Sequence, residues 1–375
     1  MLYVGIDEAG YGPVLGPLCV GFAALDVPAP PEPGHAPDLW KLLAPIVTRK
    51  PSRPGAAAQT IAVDDSKKLK GSNSLKTRHP LANLERGVLA FAHASALHAA
   101  ETQHNAEPSP PNVSCDDDLF SRLGVSIPDP EWYTGAPVSL PLATTPDHQR
   151  LLNVALAAAC DRAVVRVLDL RSHAMTEPVF NQRLRSAPAT WGDAFATNFT
   201  TDSFSRSTGE DSARSSKAAV SFSIISAFLH RVWKSAAALH HPPGEMPRVV
   251  IDRQGGRAAY TPVLALAFPD ARIETLGESP ARSVYELHGT GDSTGRAVRV
   301  SFQTEAESQH FPVALASMTA KLTRELAMHR FNRYWCTRIA ELKPTAGYAT
   351  DGERWLGDVR PHITRDELTL LRRLA

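Results

Sequence analysis

Two adjacent carboxylates, Asp7 and Glu8, stand where the apolar run LYVGI gives way to the glycine-rich stretch GYGPVLGP. In a regular strand they would point to opposite faces. They share a site if the strand ends or bulges there, which Gly10 and Gly12 permit. A third acid, Asp252, closes the run RVVID; Glu305 and Glu307 follow AVRVSF, just ahead of a helical stretch whose N-terminus favours negative charge. Singly, each acid reads as well as a solvated turn or a helix cap. Together they suggest a metal site, because carboxylates gathered from separate strand ends raise one another's pKa unless a cation offsets them. Mg2+ or Mn2+ takes oxygen ligands and keeps waters. Two such ions ~4 Å apart can activate a water and stabilise the leaving oxygen of a phosphodiester. No Ser-His-Asp, Walker or zinc-ligand pattern competes.

The elements that must position these acids are legible as patterns. Leu2–Ile6 and Gly16–Leu25 read as the strands of an opening hairpin, with further strands at Ala163–Leu170, Arg248–Ile251 and Ala297–Phe302. Val220, Ile224, Phe228, Val232 and Ala236 recur every fourth position and predict a helix over Lys217–Ala237. A second helix is predicted from about Phe311 to Arg330, with Leu315, Met318, Leu322 and Leu326 as its core stripe. Ser317, Lys321 and Arg324 fall on a different face of it. An opening hairpin followed by irregularly alternating strands and helices argues an α/β fold with a mixed sheet. Proline- and serine-rich stretches mark three expected insertions, at about 26–60, 93–150 and 186–216. The expected division is a core over 1–330 and a helical, substrate-contacting extension over 331–375.

Composition sets bounds on partners. With 43% apolar residues in a chain of 375, a substantial core is affordable. Forty basic against 39 acidic residues leave a formal charge of +1, so affinity for nucleic acid has to come from local placement. Four cysteines without a close pair give no support to a zinc or disulfide framework. The opening MLYVGIDEAG lacks a basic n-region, and no run approaches the ~18 apolar residues of a membrane span. A cytoplasmic, monomeric protein with no membrane partner is expected; no protein partner can be named.

Five segments then carry a resemblance. GIDEAGYGPVLGP, DDSKKL (Asp64–Leu69), VVIDRQG, ALASMTAKLTRELAM (Ala314–Met328) and GYAT (Gly347–Thr350) resemble, in order, motifs of the type 2 ribonucleases H, the HII and HIII family. The resemblance implies a ribonuclease H-like fold, a mixed central sheet flanked by helices and enlarged here by insertions. It implies an endoribonuclease that cleaves the RNA strand of RNA/DNA hybrids with Mg2+ or Mn2+, through Asp7, Glu8, Asp252 and Glu307. Glu307 stands where HII usually has aspartate, and Asp292, in GTGDST, lies too far before the helix to take that role.

The substrate side would comprise Gly10, Tyr11 and Gly12, whose backbone approaches the sugar 2′-hydroxyl. Lys67, Lys68, Lys321 and Arg324 would pair with phosphates, Ser66 and Ser317 would also belong to the substrate-binding set, and Tyr348 would stack on a nucleotide sugar. His310 is a candidate proton shuttle, although a lone histidine is more often structural. HII typically reads Gly-Arg-Gly where this chain reads Gly10-Tyr11-Gly12, and tyrosine cannot replace a guanidinium. Hybrid cleavage, rather than incision at a single embedded ribonucleotide, is therefore expected. Two alternatives stay open: a non-catalytic hybrid-binding protein with this fold, and a metal-dependent nuclease acting on another nucleic acid.

Overall fold

The structure, a computed structural model, describes residues 1–28, 36–51, 60–72, 78–102, 110–186, 217–235, 245–253 and 257–374. Most of the insertion at 186–216, and Ala236 of the predicted helix, lie outside the described residues.

Seven strands form one mixed sheet: β1 (Leu2–Ala9), β2 (Leu18–Asp26), β5 (Arg166–Met175), β6 (Arg248–Asp252), β7 (Ala271–Glu278), β8 (Arg282–Gly289) and β9 (Ala297–Gln303). Their order is β5-β2-β1-β6-β9-β8-β7. The hairpin β1–β2 is antiparallel, as is β2–β5, whereas β1, β6 and β9 run parallel. A two-stranded ribbon, β3 (Val47–Thr48) with β4 (Ile61–Ala62), stands apart. The expected class, a mixed sheet flanked by helices, is the observed one.

Both faces of the sheet centre are covered, which is why its strands read as nearly continuous apolar runs. Along β1 the side chains alternate: Leu2, Val4 and Ile6 join one core with the helices Lys217–Lys234 and Thr261–Ala267, while Tyr3 joins the other. That second core holds the helices Ala82–Thr102 and Pro146–Ala163 and the first half of a long helix, Phe311–Arg338. Gly5 lets the long helix lie directly on β1, since a Cβ there would fall into the backbone of Pro312 and Val313.

The long helix runs past Arg330 to Arg338, so it crosses the expected boundary between core and extension. Its far half packs Phe331 and Trp335 against Trp355, Leu356 and Leu371 of the C-terminal helices Ala349–Val359 and Arg365–Leu371. The stretch 93–150, read as an insertion, packs into the body: Leu119, Phe120 and Leu123 are buried in the helix-side core, and Trp132 and Tyr133 pack under the long helix. No helix among the described residues is long and apolar enough to cross a membrane.

Candidate metal centre

Asp7 and Asp252 arise at the carboxyl ends of neighbouring parallel strands. The β1–β6 register pairs Tyr3 with Arg248 and Ile6 with Ile251, so Asp7 and Asp252 fall at the next step. Alternation aims both at the face on which the long helix lies. There Ser317 makes a side-chain hydrogen bond to Asp7, and its Oγ lies at hydrogen-bonding distance, 3.0 Å, from Ser66 Oγ. Asp252 Oδ1 accepts from the Ala306 amide at 3.0 Å, which fixes the short turn Ala306–Ser308 beside it. That turn delivers Glu307, which shares a hydrogen bond with Asp252. Glu307 is 8% exposed, and its Oε2 is buried without a partner.

Glu8 behaves differently from the expectation. No bulge turns it toward Asp7, because β1 keeps its register with β2 through Ala9. Glu8 therefore leaves on the opposite face, beside Tyr11. Its charge still reaches the cluster. Burial, then Asp252 and Glu8, and more weakly Glu307, raise the Asp7 carboxyl well above the usual range, against the Ser317 hydrogen bond. Burial, then Glu307, push Asp252 up to about 7. Lys67 is the nearby counter-charge: burial pulls its ammonium down, but Asp65, Glu307, Asp7 and Asp252 together hold it above its ordinary value.

Among the described residues, no three His, Cys, Asp or Glu side chains are grouped as around a bound ion. The donor set nonetheless fits a hard divalent cation. It is all oxygen, its members repel one another, and one buried carboxylate oxygen lacks any hydrogen bond.

The remaining predicted residues divide into two groups. Gly12 is exposed, and nothing lies within 4 Å of a Cβ built there, so the surface is open at that point. Gly10 has φ +87°, and a Cβ there would meet Arg324 Cδ and Pro17 O at 2.8 Å. Lys67 and Lys68 are exposed, Lys68 lying 3.8 Å from Asp64. Lys321 reaches the Tyr348 hydroxyl at 3.4 Å and pairs with Glu325 at 2.9 Å. Tyr348 is 45% exposed, and Lys321 Nζ and Arg324 Cζ each lie 5.7 Å from its ring centroid.

Arg324 does not face phosphate. It is 1% exposed and donates to the carbonyls of Leu15, Pro17 and Ala346, all at 2.9–3.2 Å. The reason is the helix itself, which is buried on the face that carries Ser317, Lys321 and Arg324 as well as on its apolar stripe. Tyr11 packs partly into the core under the sheet.

Two residues beneath the glycine-rich turn, Arg373 and Glu177, carried no signal in the sequence, whereas Gly347 opens the GYAT segment. Arg373 is buried and donates through Nη2 to the carbonyls of Gly10, at 2.6 Å, and Pro13. Glu177, also buried, accepts from the Gly16 amide at 2.8 Å and from the Tyr133 hydroxyl. Gly347 accepts from the Val14 amide at 2.9 Å. His310 sits in a wall with Tyr3 Oη at 2.6 Å and Gln303 Oε1 at 3.0 Å, and burial with Arg282 and Arg248 holds it down at about 4. It is neutral and does not reach the carboxylates by any hydrogen bond among these.

No family model matches this chain, and no curated protein matches it in sequence. Among solved structures, it is similar to the RNase HII of Archaeoglobus fulgidus in the structure of its complex with PCNA, at 12% identity and TM-score 0.38, over 100% of this chain and 94% of that one. Ribonuclease H2 of Pyrococcus horikoshii matches at 14% identity and TM-score 0.34, over 100% and 92%. A point mutant of Bst-RNase HIII matches at 13% identity and TM-score 0.33, over 99% of this chain and 65% of that one. The proteins to which this chain is similar are thus ribonucleases H of the HII and HIII kinds.

Proposed function

We propose that this protein is a divalent-metal-dependent endonuclease that cleaves the RNA strand of RNA/DNA hybrids. One observation carries the reading. Asp7, Asp252 and Glu307 come from two strand ends and a buried turn; Asp252 and Glu307 raise the carboxyl pKa of Asp7, and Glu307 raises that of Asp252. A protein gains no stability from burying such a set, so a cation-dependent role accounts for it.

Asp7, Asp252 and Glu307 would hold the ions, with Glu8 contributing its charge from the far side of β1. The chemistry that bound Mg2+ or Mn2+ supplies is activation of a water and stabilisation of the leaving oxygen. The chain's own residues do the rest. Ser317 and Ser66 orient the Asp7 carboxylate, and the Ala306 amide orients Asp252. Lys67 and Lys68 offer positive charge to a phosphate at the open edge of the site. Arg324 and Arg373 hold the carbonyls of the glycine-rich turn inward, which leaves the exposed backbone at Gly12 to meet the substrate sugar. Tyr348, steadied by Lys321, presents its ring to a nucleotide.

The test uses three labelled substrates: hybrid duplex, DNA with one embedded ribonucleotide, and plain DNA, each in Mg2+ and then Mn2+. Cleavage of the hybrid, lost in Asp252→Asn, is expected. Absence of hybrid cleavage in both metals would overturn the reading, and full activity in Asp252→Asn would overturn the site.

A further inference from the structure

Trp40 and Arg49, both within the first of the expected insertions, join two segments that flank the carboxylate cluster. Trp40 lies in the short helix Leu39–Leu42 and is 8% exposed. Its indole Nε1 donates to the Val63 carbonyl at 2.8 Å, just ahead of the segment Asp64–Leu69 that carries Ser66 and Lys67. Its ring meets Phe311, at the start of the long helix, edge-on at 5.1 Å between centroids. The Arg49 guanidinium lies over the same indole, 3.4 Å from the ring centroid. From there Arg49 Nη1 donates to the carbonyl of Ser308, the residue after Glu307, at 2.8 Å.

The turn that delivers Glu307 needs such a hold. It opens at Glu305 with φ +52°, in the left-handed region that a residue with a Cβ seldom adopts. Backbone of that kind persists only where surrounding contacts over-determine it. Inside the turn, the Glu305 carbonyl accepts from Ser308 Oγ at 2.7 Å and from the Ser308 amide at 3.0 Å. From outside, Asp252 takes the Ala306 amide and Arg49 takes the Ser308 carbonyl, so Glu307 lies between two anchored neighbours. Arg49 is exposed, but its place is set by β3, whose Thr48 carbonyl accepts from the Val63 amide at 2.8 Å. A planar guanidinium stacked on an aromatic ring is pre-organised, so its hydrogen bond holds a carbonyl with little further loss of freedom.

We propose that Arg49, seated on Trp40, is a positioning residue for the cation site: it fixes the Ser308 carbonyl and so keeps Glu307 against Asp252. Through Val63 the same pair ties that turn to the segment of Ser66 and Lys67, so one insertion sets two flanks of the site. The inference rests on the reading of the carboxylates as a divalent-cation site, and not on the choice of substrate.

Mn2+ alone, titrated into the full-length protein and followed by the EPR signal of the free ion, is the probe. Arg49→Ala should weaken binding about tenfold, the lower end of what losing a contact that supports a metal ligand costs. Arg49→Lys, which keeps the charge and a donor but not the planar stack, should recover part of that loss. Lys41→Ala, an exposed charge on the same insertion, should stay within about twofold of wild type. Hybrid cleavage adds a second readout. The Mn2+ concentration for half-maximal rate should rise in Arg49→Ala in step with the binding constant, while KM for hybrid at saturating Mn2+ stays within about twofold. A wild type that binds no Mn2+ would defeat the metal reading and this inference with it. Binding in wild type with unchanged affinity in Arg49→Ala would overturn the inference alone. So would a raised KM without a change in Mn2+ affinity, which would place Arg49 on the substrate instead.

Discussion

Asp252 is held by one amide and repelled by two carboxylates, so its charge is tolerated rather than favoured. In chelator at pH 8, Asp252→Asn should therefore melt higher than wild type, by on the order of 1 kcal/mol or more. The same substitution should reduce hybrid cleavage about a hundredfold or more, the scale for losing one group that stabilises a developing charge. A variant that lost activity and stability together would point to misfolding instead. His310 makes the pH argument with the opposite sign. Its folded pKa is depressed to about 4, so its contribution is present above its unfolded value and is lost as pH falls toward 4. Between pH 7.5 and 5, wild type should lose about 2 kcal/mol relative to His310→Gln, read from urea melts at the two pH values. Identical slopes would show that His310 is not buried neutral.

The elements most sensitive to change are those that touch backbone to backbone. Gly5 meets the long helix at Pro312 and Val313, where no flexible side chain can yield. Gly5→Ala should cost about 1–3 kcal/mol or more by denaturant unfolding. It should also lift Ser317 away from Asp7. The C-terminal segment is the other such element. Arg373 satisfies two carbonyls of the glycine-rich turn, and Asn181 ties Arg372 and Leu374 on either side of it. Arg373→Ala leaves those buried acceptors without donors, at about 1–3 kcal/mol each. If the turn contacts substrate, KM for hybrid should rise while metal affinity stays unchanged. A change confined to metal affinity would contradict that placement.

At the scale of the molecule, the proposed metal site would link cation binding to folding through the carboxylate cluster. Mn2+ or Mg2+ should raise Tm, by RT ln(1 + [L]/Kd) in free energy, about 2.7 kcal/mol at a hundredfold excess over Kd. The gain should vanish in the double variant Asp7→Asn, Asp252→Asn, and a thermal-shift titration reads both.

What the sequence determined by itself was whatever depends on local pattern. The hairpin β1–β2, the short strand ending at Asp252 and the start of the long helix at Phe311 all follow from apolar periodicity, which side-chain burial enforces residue by residue. Position just ahead of that helix offered Glu305 and Glu307 alike, and only the family resemblance singled out Glu307. Tertiary structure alone decided the rest. Arg324 became a clamp for carbonyls rather than a phosphate contact, because the face that carries it is buried against the turn at Leu15–Pro17. Glu8 stayed on the far face because pairing with β2 held the strand regular. Arg373 meets Gly10 across 363 residues of chain, and Arg248 meets Arg299 only through strand register. Such contacts leave no period in the sequence, since neither partner's neighbours need to change for the pair to form.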